Sequence, residues 1–114
     1  MITDATLKNA ARAIECDLWT DLATGANYLA KDGAILRRWD PEHDDGDALR
    51  LLGAMRYFEL HSFSSEGLVT CDMSIREFGA CKEFGEFESE GDRMGAIRKA
   101  IVLCAASVGA KLCQ

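Results

Sequence analysis

The stretch from Arg37 to Phe63, RRWDPEHDDGDALRLLGAMRYFELHSF, does most to narrow the folds open to this chain. Pro41 holds its own φ near the turn value and pushes Asp40 out of the helical region, so the backbone bends just after Trp39. A helix therefore starts later. Asp44 or Asp45 is placed to accept hydrogen bonds from the free N–H groups of its first turn, and Asp47 adds negative charge at the positive end of the helix dipole. Leu49, Leu52 and Met55 recur on one face, which predicts a short amphipathic helix over Asp45 to Met55. Arg56 to Phe63 then alternates aromatic or aliphatic residues with polar ones, the period of a strand.

Before this stretch, Thr3 and Asp4 cap a helix over Asp4 to Glu15 whose apolar positions are Leu7, Ala10, Ala11 and Ile14. From Asp17 to Trp39 the helical period vanishes. Turn signals at Thr24-Gly25 and Lys31-Asp32-Gly33, with extended pieces at Asn27 to Ala30 and Ala34 to Arg37, predict an irregular hairpin or a long loop. After it, Ser64-Ser65-Glu66-Gly67 supplies a turn into a strand over Leu68 to Ser74, with Val69, Cys71, Met73 and Ile75 on its buried side. A third strand near Lys82 to Glu88 carries Phe84 on one face and Phe87 on the other. Glu90, Gly91 and Asp92 break that strand and cap the longest helix, Asp92 to Val108, in which Met94, Ile97, Ile101, Cys104 and Val108 face inward and Gly109 closes the end in a left-handed cap. These elements predict an α+β fold: a small antiparallel sheet of three to four strands with flanking helices, in one domain spanning residues 1–114.

Five cysteines, Cys16, Cys71, Cys81, Cys104 and Cys113, form an odd set without a CxxC pair, which argues for reduced thiols rather than a secreted disulfide framework. No run of about 18 apolar residues could span a bilayer, and no basic start leads into a hydrophobic signal region, so a cytosolic protein is expected. The net charge of −6 opposes attraction to nucleic acid or an anionic membrane and favours a basic protein partner.

Asp40 to Asp47 suggests a calcium loop but fails its register. With Gly46 at the sixth position, the first and twelfth fall on Pro41 and Leu52, which supply no carboxylate. Zinc held by His61, Cys71, Cys81 and His43 lacks the close ligand pairs of structural sites. A cysteine or serine nucleophile beside His61 comes with no nucleophile elbow or phosphate loop, and His61 reads more simply as a surface histidine bonded to Glu59 two residues away. No catalytic residue, metal ligand or cofactor is assigned. The acidic run Glu83, Glu86, Glu88, Glu90 and Asp92 has two readings, a solvated edge strand and a binding strip for a basic surface. Trp39 reads as a fold anchor, and Trp19, in the irregular segment, as a contact residue.

Trp39-Asp40-Pro41 with Asp44 to Leu51, and Gly95 to Val102 with Ala105 and Ala106 before Gly109, resemble the phage ABA sandwich domain proteins and the related NinX-like phage proteins. Those typically show a WNPxxDDGDALRL segment and a final RRAIVRAAAEIG-like helix. This chain departs in having Asp40 for the usual Asn and in its Cys16 to Arg38 stretch. The resemblance implies an α/β/α sandwich-like arrangement encoded by a phage or prophage, and it brings no catalytic residues. The expectation is a non-enzymatic accessory protein that binds a host protein, for instance at a basic nucleic-acid-binding surface, and inhibits a host defence system in the manner of an anti-CRISPR. It is expected to make no direct contact with nucleic acid or membrane, and a homodimer is left open. The alternative is a small metal-dependent or cysteine-based enzyme using His61 and nearby cysteines.

Overall fold

The computed structural model describes residues 2–74 and 81–112, except the side chains of Ser64 and Cys81. Helix α1 (Asp4–Ala13) leads into strands β1 (Asp17–Thr20), β2 (Asn27–Lys31) and β3 (Ala34–Arg38), then α2 (Asp45–Gly53), strands β4 (Tyr57–Phe63), β5 (Leu68–Ser74) and β6 (Cys81–Glu86), and helix α3 (Arg93–Leu112). The fold is α+β, with two three-stranded antiparallel sheets, β1-β2-β3 and β4-β5-β6. Expected residues Ile75 and Cys113 lie outside the described residues.

The segment expected to be irregular is an ordered meander. Asp32 and Gly33 both take positive φ, 53° and 81°, between Lys31 and Ala34, and so make the two-residue turn whose twist suits a hairpin. The extended pieces were legible, whereas β1 escaped notice because four residues carry too little periodicity to register. The meander rests on α1 through β1.

Helix α3 is the centre of the core. It packs against α1, α2, β5 and β6, and Ala100, Ile101, Val102, Cys104, Ala105 and Val108 are all buried. On the facing side of β5, Val69, Cys71 and Met73 are fully buried, each such side chain worth roughly 1.5–3 kcal/mol where it is large and apolar. Three details differ from the periodic reading. Leu49 is 67% exposed, and α2 buries Ala48, Leu51 and Leu52, with Met55 just beyond it. Leu52 and Met55 thus face the core as expected, and Ala48 and Leu51 take the inward place beside the buried Asp47 that Leu49 does not. Met94 is half-exposed because it sits in the first turn of α3, ahead of the region that meets the sheet.

Gly109 does not end α3; it lies inside the helix and is buried. A Cβ there would overlap the carbonyl of Asn9, so the missing side chain lets α1 and α3 come together along Ala10, Ala13, Ala105 and Ala106. Gly85 has the same use on the other side, where a Cβ would overlap the Ala96 carbonyl. The helices therefore gather over one face of the second sheet. The other face, formed by alternate residues of β4, β5 and β6 including Tyr57, Glu59, His61, Phe63, Asp72 and Phe84, is open among the described residues.

Candidate partner-binding site

The stretch around Trp39 is a structural latch. Trp39 is 2% exposed and Pro41 is buried, as expected of a fold anchor. Asp44 caps α2 by accepting from the Asp47 N–H at 2.8 Å. The Asp47 carboxylate is itself buried and accepts from the Asp40 N–H and the Arg50 guanidinium, both at 2.8 Å, with Arg37 at 3.9 Å. Asp47 thus ties the bend before Pro41 to the helix after it. That exceeds the dipole role read from its position. Arg98 of α3 completes the latch, donating to the Glu42 carbonyl at 2.8 Å and the Asp45 carboxylate at 2.6 Å.

The structure does not bring His61 and Cys71 together as base and nucleophile. Leu60 faces Cys71 and His61 faces Thr70 across the β4–β5 ladder, so His61 and Cys71 lie on opposite faces of the sheet. His61 instead stacks on Phe63, with ring centroids 6.3 Å apart, and its Nε2 sits 3.4 Å from Glu59. Glu59 is held below the usual glutamate range, first by the Tyr57 hydroxyl and then by His61, and the same hydrogen bond raises Tyr57. Cys104 donates to the Cys71 carbonyl at 3.3 Å. Its thiol is pushed far up by its hydrogen bond with the Cys71 side chain and by burial, which keeps it protonated as a small core residue. Among the described residues, no group of three His, Cys, Asp or Glu side chains stands close enough to hold a metal ion.

The acidic run has a more specific arrangement. Gly67, at φ +60°, brings the β4–β5 turn against the segment leaving β6. A Cβ there would overlap the Phe87 carbonyl, while the Phe87 N–H donates to the Gly67 carbonyl at 2.9 Å. This close approach sets Glu66 beside Glu86, Glu88 and Asp92. Together with Lys99 they line an open depression of about 920 Å³ floored by Leu68 and Phe87. Among the described residues, Glu66, Glu86 and Glu88 have no cationic partner within ion-pair distance. Carboxylates that outnumber the lysine beside them raise the local negative potential.

The other expected contact residues lie elsewhere. Glu83 turns toward α3 and accepts from the Ser107 hydroxyl at 3.1 Å. Glu90 pairs with Arg93 at 3.2 Å, and Asp92, at the rim of the depression, accepts from Ser89 at 3.0 Å. Trp19 is 47% exposed on β1, tilted against Tyr28 at 5.5 Å, in the first sheet and not in the depression. Sequence reasoning missed Glu66, treating it as one residue of a turn. The glycine after it was the signal that two distant acidic segments meet.

An α+β protein with an acidic surface depression is the class that fold and site define. Comparison with protein-family models, with curated proteins and with solved structures gives no match. No helix among the described residues is long and apolar enough to cross a membrane.

Proposed function

We propose that this chain is a phage- or prophage-encoded accessory protein, of the ABA sandwich and NinX-like kind, that acts in the host cytosol by binding a host protein. Its partner presents a basic surface of the sort that normally holds nucleic acid, and the depression lined by Glu66, Glu86, Glu88 and Asp92 is the contact. The observation that carries this reading is the grouping of Glu66, Glu86, Glu88 and Asp92 around one depression, four carboxylates against the single ammonium of Lys99 in its described lining. Leaving like charges together opposes folding, and a cationic partner would offset that repulsion. The net charge of −6 acts in the same direction, repelling nucleic acid while attracting the proteins that bind it. The motif residues shared with the phage families are occupied in the latch and in α3, consistent with a scaffold whose function lies on its surface.

A defence system such as CRISPR interference is the target class this reading favours. Expressed in a host whose interference complex targets an infecting phage, the chain should restore plating of that phage, and the E86K/E88K variant should not. Unrestored plating by well-expressed wild-type protein refutes the defence reading.

A further inference from the structure

Among the described residues the two sheets have four edge strands, and three are guarded. β1 is only four residues long, β3 carries Arg37 and Arg38 beside an irregularity in its register with β2, and β6 carries Lys82, Glu83 and Glu86. β4 is different. It runs seven residues in unbroken register along β5, with no proline and no lysine, and among the described residues no element pairs with its outer edge. Its aromatic residues are exposed on both faces: Tyr57 and Phe63 on the open face are 45% and 43% exposed, and Phe58 on the helix side is 44% exposed, while Leu60 packs against the core. A long, straight, aromatic edge of this kind is a template for another strand.

We infer that this edge pairs with β4 of a second copy of the chain, antiparallel about a twofold axis at Leu60, joining the two three-stranded sheets into one. The order of side chains in YFELHSF selects that occupant. Centred on Leu60, the register sets Tyr57 opposite the partner's Phe63, Phe58 opposite the partner's Ser62, and Glu59 opposite the partner's His61, each twice by symmetry. Each aromatic on the open face meets an aromatic, and each carboxylate meets an imidazole N–H. The neighbouring even registers are poorer. A slip one way puts Glu59 opposite the partner's Glu59, and a slip the other way puts His61 opposite the partner's His61, in both cases with fewer residues paired. Odd slips set core-facing side chains opposite solvent-facing ones. The strand is thus complementary to itself in one register only, and the Glu59–His61 contact within each chain exchanges for the same contact between chains.

Sedimentation and light scattering of the full chain, of 12.5 kDa, across micromolar to millimolar concentration test this. A dimer is expected, with hydrogen exchange in residues 57–63 slowing as concentration rises. H61E sets carboxylates opposite carboxylates at both symmetric positions and should weaken the dimer by roughly tenfold or more. E59K/H61E restores opposite charges and should restore the dimer, which a merely misfolded H61E would not allow. A chain monomeric over the whole range overturns the inference. So does a dimer indifferent to H61E, or one in which exchange over 57–63 is independent of concentration.

Discussion

Replacing Asp47 with alanine tests whether the Trp39 to Leu51 stretch is a latch. The change strips the acceptor from the Asp40 N–H, a backbone group held at 2.8 Å from a carboxylate that is 7% exposed. An orphaned donor of this kind costs about 1–3 kcal/mol. Arg50 also loses its partner, but its side chain is about half exposed, so screening limits that loss to less than about 1 kcal/mol. Loss of negative charge in the first turn of α2 adds about 0.3–1 kcal/mol. The sum is about 1–5 kcal/mol, which for a domain of this size lowers the melting temperature by on the order of 10 °C. Asp47→Asn keeps an acceptor oxygen and should lose roughly half as much. Urea unfolding followed by tryptophan fluorescence measures both, and a Trp19→Phe background leaves the buried Trp39 beside the latch as the reporter. An Asp47→Ala variant within about 0.5 kcal/mol of its parent would refute the reasoning, because the Asp40 N–H would then not depend on this carboxylate.

Two further outcomes follow from other parts of the fold. Gly109→Ala should destabilise the chain by several kcal/mol, on the order of the largest overpacking effects, because the added methyl meets the Asn9 backbone rather than a movable side chain; thermal unfolding decides it. Glu59 should titrate below ordinary glutamates by NMR, and Tyr57→Phe should bring it upward, since the Tyr57 hydroxyl is the main cause of the shift. The lowered value means that the Glu59 contribution to stability is present above the ordinary glutamate pKa and is lost as pH falls through the lowered one.

Much of the architecture was legible because local signals and tertiary packing agreed. Thr3 does cap α1, with Thr6 answering it, and Asp44 does cap α2. Val69, Cys71 and Met73 do face the core, and Phe84 and Phe87 do divide between solvent and interior. The misreadings arise where a distant contact overrules the local pattern. Gly109 has the look of a helix terminator, and only the approach of α1 explains a glycine inside α3. Leu49 fits the helical period, but Ala48 and Leu51 are buried beside Asp47 in its place, while Leu52 and Met55 face the core as read. For the site, the acidic run was visible as a string. Its division into Glu83 against Ser107, Glu90 against Arg93, and Glu86, Glu88 and Asp92 in the depression depends on how β6 meets α3, which no spacing rule reports.

The contact proposed for the acidic depression is electrostatic. Association rates of the chain with the purified host interference complex, measured as salt rises from about 0.05 to about 0.5 M and the Debye length falls from about 14 Å to about 4 Å, test it directly. The predicted result is a rate that drops at least severalfold over that range, and an E86K/E88K variant that associates more slowly with an unchanged melting temperature. Binding whose rate ignores both the salt and the two lysine substitutions would contradict the claim and leave the carboxylates of the depression as a solvated rim.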